Sequence, residues 1–192
     1  MSTFFEERLK KEFEYVASKN TPSRTITPIR KGDLKTWRGY IRGPDEVTHT
    51  FEIRLTHYPL SPPEIEWLTP ISHPNIEPPK PEGNGLPCLP WLTNPTFWSP
   101  KTKINSIIEG LVFLLTNPNP ADPMAHPKCL RLAIKMIKDQ AETHRPKNEF
   151  SKIKNILTAA ENALKNGDTK TAYQLVKQAG ETANLGKIED QT

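Results

Sequence analysis

Apolar residues recur at two spacings along the chain, and the change of period marks its organisation. Between residues 3 and 18, Phe4, Phe5, Leu9, Phe13 and Val16 fall at helical spacing, with Arg8, Lys10, Lys11 and Lys19 on other faces. That predicts an amphipathic opening helix. The period then shortens to two. Arg24 to Arg30, Leu34 to Arg42 and Val47 to Thr56 carry alternating, β-branched and aromatic positions, separated by Lys31-Gly32-Asp33 and Gly43-Pro44-Asp45-Glu46. They predict three strands of an antiparallel meander. Glu64 to Leu68 adds a short fourth strand after the turn Tyr58-Pro59-Leu60-Ser61-Pro62-Pro63.

The helical period returns at Lys103 to Thr116, where Ile104, Ile107, Ile108, Leu111, Val112 and Leu115 give an apolar face wide enough for a central core helix. Residues 128 to 143 repeat it through Leu130, Ala133, Ile134, Ile137 and Ala141, and Cys129 on that helix reads as a small buried hydrophobe. Residues 150 to 186 predict two more helices, parted by Asn166-Gly167-Asp168, a glycine stop followed by an acidic N-cap. Arg145-Pro146-Lys147-Asn148 reads as a linker. The expected fold is α+β: a four-stranded antiparallel meander sheet with an N-terminal helix, a central helix and C-terminal helices. A core domain over 1–147 carries a helical hairpin over 148–192. One such hairpin cannot bury its own apolar face, so it packs on the domain or docks on a partner.

Composition narrows the class. Twenty-six basic and 22 acidic side chains are well mixed and leave a formal charge of +4, which predicts no nucleic-acid partner. The longest apolar run, Leu111 to Leu115, is too short to cross a bilayer, so no membrane association is expected. Two cysteines are too few for a disulfide framework, and no apolar leader follows Met1-Ser2-Thr3-Phe4-Phe5-Glu6-Glu7. A reducing cytoplasmic location is the expectation. Sixteen of the 20 prolines fall between Pro59 and Pro127, so stiff irregular backbone is concentrated in one stretch.

Residues 69 to 101 have almost no periodic pattern, and a loop of that length in a compact domain is usually functional. Cys88 sits in it, among prolines 78, 79, 81, 87 and 90 and glycines 83 and 85. A thiol on a shaped loop is a candidate nucleophile, because sulfur both attacks and leaves well. The order His73-Pro74-Asn75, Gly85-Leu86-Pro87-Cys88-Leu89, Trp98-Ser99-Pro100 and Pro118-Asn119-Pro120-Ala121-Asp122-Pro123-Met124 resembles a ubiquitin-conjugating enzyme. The resemblance covers roughly residues 4 to 140.

That resemblance implies that Cys88 accepts a ubiquitin-like protein from an activating enzyme as a thioester and passes it to a substrate lysine, with no metal and no organic cofactor. It implies that Asn75 donates to the oxyanion of the tetrahedral intermediate, although bracing of the loop by the same side chain is an equal alternative. It implies that Asp122 orients the incoming ammonium and favours its deprotonation; an N-cap on the next helix is the competing reading. His73 and Pro74 are expected to shape the turn. Pro59, Leu60, Ser99 and Pro100 match two loops that meet a RING-type ligase in this family, and Arg8, Lys10 and Lys11 lie on the helix that receives the activating enzyme.

Several positions depart from the family pattern. Glu77-Pro78-Pro79-Lys80-Pro81-Glu82-Gly83-Asn84 is expanded, Pro90 and Ala121 replace acidic residues, and Lys101 replaces a small one. A divergent member, prokaryotic in one reading, is expected. Two other classes compete: a noncatalytic binding module of the same fold, and a thiol hydrolase pairing Cys88 with His57, His73 or His126. Cys88 and Cys129 lack the paired spacing of a zinc site.

Overall fold

The computed structural model describes residues 4–185. The chain parts into two compact units, one from the residues up to Pro70 and Pro78–Asn117, the other from Ile71–Glu77 and the residues from Pro118 onward.

The first unit holds helix α1 (Phe4–Ser18), the strands β1 (Arg24–Pro28), β2 (Thr36–Arg42), β3 (Thr48–Arg54) and β4 (Glu64–Trp67), and the central helix α3 (Ile104–Thr116). A one-turn helix α2 (Pro90–Thr93) and a 3-10 turn (Pro95–Phe97) precede α3. The strands pair antiparallel in sequence order, the meander expected from their short turns. Strand alternation sorts the two faces. Trp37, Ile53 and Ile65 align across β2, β3 and β4, as do Gly39, Phe51 and Trp67, and all six positions are buried. Gly39 has a packing reason: a Cβ there would lie 2.2 Å from the ring of Phe51, which stacks on Trp67 at 5.7 Å. Phe13 of α1 meets Trp37 edge-on at 5.3 Å, seating the helix on the sheet.

The opposite face is a charge ladder. Arg38 pairs with Glu52 at 2.5 Å, Arg54 bridges Glu52 and Glu66, and Lys80 reaches Glu66 at 2.9 Å. Hydrogen bonds from Arg54 and Lys80 hold the Glu66 carboxyl below the usual range.

The second unit is built on α4 (Pro127–His144), α5 (Lys147–Lys165) and α6 (Thr169–Thr182). Their apolar stripes close on one another: Leu130, Ile134 and Ile137 of α4 share a cluster with Ile153 and Leu157 of α5 and Ala172, Val176 and Ala179 of α6. Each fully buried aliphatic side chain contributes about 1.5–3 kcal/mol, so these faces hold the hairpin within its own unit. The helices after residue 147 thus share their core with α4. Only Arg145 and Pro146 separate α4 from α5, where a four-residue linker was expected. The stop between α5 and α6 follows the sequence: Gly167 takes φ +78°, and Asp168 accepts a hydrogen bond from Thr171 N–H at 3.0 Å. Among the described residues no helix is long and apolar enough to cross a membrane.

Candidate active site

Cys88 is held by its neighbours on both sides. Gly85 takes φ +63° and lies so close to β4 that a Cβ would be 2.3 Å from the Trp67 carbonyl oxygen. Only glycine fits that approach, and Gly85 C=O accepts from Trp67 N–H at 2.7 Å. The incoming segment is thereby tied to the sheet edge. Gly85 N–H donates to Pro78 C=O at 3.0 Å, so the expanded stretch 78–85 closes on itself as an excursion whose ends meet.

Leu89 N–H then donates to Pro87 C=O at 3.0 Å, which puts Cys88 at the centre of a three-residue turn. Leu89 is buried and its carbonyl accepts from Leu92 and Thr93 N–H, starting α2. Leu89 and Trp91 rest on Gly110 of α3, where a Cβ would meet the indole at 3.2 Å. The result is a half-buried thiol, not disulfide-bonded, on a turn fixed to β4 and to α3.

Asn75 is 2% exposed and its amide is fully engaged. Nδ2 donates to the carbonyls of Asn119 and Asp122, both at 2.9 Å, and Oδ1 accepts from Asn119 N–H at 2.7 Å. One side chain thus replaces the backbone partners that the turn 118–122 lacks. His73 Nδ1 accepts from Asn75 N–H at 3.0 Å, and Pro74 C=O accepts from Met124 N–H at 2.8 Å.

The Asp122 carboxylate is about half exposed and receives the Lys177 ammonium at 3.0 Å and the Tyr173 hydroxyl at 3.3 Å. It is not the cap of α4: His126 fills that position, its Nδ1 accepting from Lys128 N–H at 3.3 Å. Cys129 lies buried on α4 and its thiol donates to Ile76 C=O at 3.4 Å.

The surface loops before β4 and α3 are joined. Trp98 Nε1–H donates to Pro59 C=O at 2.8 Å, and the Tyr58 and Trp98 rings meet edge-on. Leu60 is 82% exposed and Phe97 66% exposed on these loops; Ser99 and Pro100 are exposed as well. Phe97 has the same character as Leu60, and sequence reading passed over it because it lies outside the matching motifs.

Of the three basic residues singled out on α1, Lys10 and Lys11 are exposed and Arg8 is not. Arg8 donates to Glu12 at 3.2 Å, to the Tyr58 hydroxyl at 2.9 Å and to Thr102 C=O at 3.4 Å. Glu12 is buried at the centre of this network, accepting from Tyr58 at 2.8 Å and from Ile104 N–H, the first residue of α3, at 3.1 Å. Burial, then the hydrogen bond to Glu12 and its charge, pushes the Tyr58 phenol well above its ordinary value. Sequence reading missed Glu12, although a carboxylate between Leu9 and Val16 on the apolar stripe was a signal. A groove of about 360 Å³ lies alongside, lined by Phe4, Lys11, Tyr15 and Lys103 among others.

Comparison with known proteins agrees with this architecture. The family model described as ubiquitin-conjugating enzyme matches residues 8–145. The chain is 34% identical over 125 residues to ubiquitin-conjugating enzyme E2 13 of Saccharomyces cerevisiae, covering 62% of this chain and 76% of that protein. It is 30% identical over 129 residues to ubiquitin-conjugating enzyme E2 2 of Kluyveromyces lactis, covering 64% and 74%. A solved structure titled "Novel Ubiquitin-Conjugating Enzyme" superposes with a TM-score of 0.59 at 26% identity, covering 72% of this chain and 88% of that one. The first helix, the four-stranded meander, the Cys88 turn and the extent of the match together place this chain: it belongs to the ubiquitin-conjugating enzyme family.

Proposed function

We propose that Cys88 accepts a ubiquitin-like protein from an activating enzyme as a thioester and delivers it to a lysine amine. The Cys88 thiolate attacks the carbonyl of the activating enzyme's thioester and that enzyme's thiol leaves. The acceptor amine then attacks the new thioester, a tetrahedral oxyanion forms, and its collapse expels the Cys88 thiolate and leaves an isopeptide bond. The observation that carries this reading is the Cys88 turn: a half-buried thiol on a segment fixed at Gly85 and Leu89, inside the stretch that matches the family.

Asp122 is the group we assign to the acceptor. A lysine amine has a pKa near 10.4, so well under about 1% is unprotonated at neutral pH. A carboxylate that binds the ammonium orients it and takes up the proton as the amine attacks. The support is that this carboxylate already holds a primary ammonium at 3.0 Å. For Asn75 the hydrogen bonds favour bracing of the turn that carries Asp122; donation to an oxyanion requires one of its two carbonyl bonds to open.

The remaining partners follow from surface character. Lys10 and Lys11 are exposed on α1 and suit the activating enzyme, whereas Arg8 acts inside the fold. The exposed Leu60 and Phe97, on loops fastened by Trp98, suit an apolar anchor for a RING-type ligase.

The reading is tested by replacing Cys88 with serine. With an activating enzyme, ubiquitin and ATP, the wild type forms an adduct that thiols cleave. Cys88→Ser forms one that resists thiols and yields to hydroxide, as an oxygen ester does. A thiol-sensitive adduct that persists in Cys88→Ser contradicts the reading.

A further inference from the structure

The contact on Asp122 comes from a helix beyond the stretch that matches the family. Tyr173, Lys177 and Gly180 are spaced by four and three along α6, so they form one stripe. Gly180 sits where a Cβ would lie 2.7 Å from the Cα and Cβ of Ala121, so its lack of a side chain lets α6 rest directly on the turn that carries Asp122. Lys177 and Tyr173 then meet the same carboxylate oxygen at 3.0 and 3.3 Å, and the Lys177 ammonium stands 5.6 Å from the centre of the Tyr173 ring. Asp122 hydrogen-bonding raises the Lys177 pKa above its ordinary value, so the ammonium stays charged at neutral pH. Ala172, Val176 and Ala179, buried in the cluster with α4 and α5, hold the stripe in place.

We propose that Lys177, supported by Tyr173, sets acceptor specificity by occupying Asp122, so that an incoming lysine must displace one ammonium with another. This rests on the assignment of Asp122 to the acceptor. The exchange takes from Lys177 the Asp122 charge it holds at 3.0 Å, and a carboxylate brought by the acceptor replaces that charge at the same end of the side chain. A lysine flanked by carboxylates supplies it; a lysine in a neutral setting does not. The substrate class this favours is a lysine with acidic neighbours. Lys177 acts through Asp122 and is a positioning residue.

The test is single-turnover discharge of the Cys88 thioester of ubiquitin onto two peptides, acetyl-Asp-Lys-Asp-amide and acetyl-Gly-Lys-Gly-amide, each over a range of concentrations. The wild type is expected to half-saturate at about two- to fivefold lower concentration of the acidic peptide, the range of a partly exposed ion pair. Lys177→Gln lowers the half-saturating concentration of the neutral peptide by a similar factor at an unchanged plateau, and the preference disappears. Lys177→Arg keeps the wild-type preference, Tyr173→Phe weakens it, and Lys170→Gln, an exposed control on the same helix, leaves it alone.

If Asp122→Asn slows discharge while Lys177→Gln behaves as wild type on both peptides, the role of Lys177 is overturned and that of Asp122 stands. If Lys177→Gln slows discharge on both peptides, Lys177 supports the reaction and the proposal is wrong. If Asp122→Asn leaves discharge unchanged, the acceptor assignment fails and this inference fails with it.

Discussion

The side-chain amide of Asn75 donates one hydrogen to the main-chain carbonyl of Asp122 and the other to that of Asn119, both at 2.9 Å. With the bond it accepts from Asn119 N–H, a single buried residue fixes both ends of a proline-rich turn that has few backbone partners of its own. Asn75→Ala leaves these groups unpaired and is expected to cost about 2–4 kcal/mol, read as a lowered urea midpoint. Asn75→Asp sets a carboxylate against two carbonyl oxygens, which raises its folded pKa above the unfolded value near 3.9. That variant should recover stability relative to the wild type as pH falls toward about 4, where protonation restores one donor. An Asn75→Ala protein as stable as the wild type would remove the bracing role.

Gly85 is predicted to be intolerant of any side chain. Alanine there meets a left-handed backbone, costing about 1–2 kcal/mol, and a carbonyl 2.3 Å away that must move. Gly85→Ala should lower stability by about 2–4 kcal/mol in total. It should also change the alkylation rate of Cys88 more than that of Cys129, because the turn is held from Gly85 and the buried α4 thiol is not. Equal changes at both cysteines would mean a global loosening instead.

The buried network around Glu12 gives a pH signature. The Tyr58 phenol is raised above its ordinary pKa of about 10 by burial and by Glu12. Its contribution to stability is therefore complete below about pH 10 and is lost as pH rises from there through the folded value. In an absorbance titration, part of the tyrosine signal should appear only well above pH 10 or on unfolding, and Tyr58→Phe should remove that part. Tyr58→Phe should flatten the fall in stability above pH 10. A titration in which all tyrosines ionise together near pH 10 would contradict the network.

Two kinds of basic residue on α1 should separate. Arg8→Ala strips Glu12 and Tyr58 of a partner and is expected to cost about 1–3 kcal/mol. Lys10→Ala and Lys11→Ala are surface changes and should stay within about 0.5 kcal/mol. Those two should instead slow charging at limiting activating enzyme, by a factor that shrinks as salt is added, because exposed charges act on encounter rate. Charging that is indifferent to both lysines would move the activating-enzyme surface elsewhere.

What could be read beforehand depended on range. Each strand and each long helix showed its own period, and the observed ends lie within a few residues of those expected; β2 starts at Thr36 where the alternation suggested Leu34, for instance. Helix α2 was invisible because four residues cannot display a 3.6-residue period. The amphipathic faces of α5 and α6 announced that something covers them without saying what, since a stripe of alanine and isoleucine carries no address; the answer was α4. Arg8 looked like a surface base because its partners Tyr58 and Thr102 are 50 and 94 residues away. The same distance hid Lys177: nothing local to α6 says that one of its lysines reaches Asp122.

The central claim is that Cys88 carries the modifier, and a charging assay addresses it most directly. The protein is incubated with an activating enzyme, ubiquitin and ATP, and run on a nonreducing gel beside Cys88→Ala and Cys129→Ala. A thiol-sensitive adduct present in the wild type and in Cys129→Ala and absent only from Cys88→Ala is the predicted result. An adduct that survives in Cys88→Ala, or is lost with Cys129→Ala alone, contradicts the account.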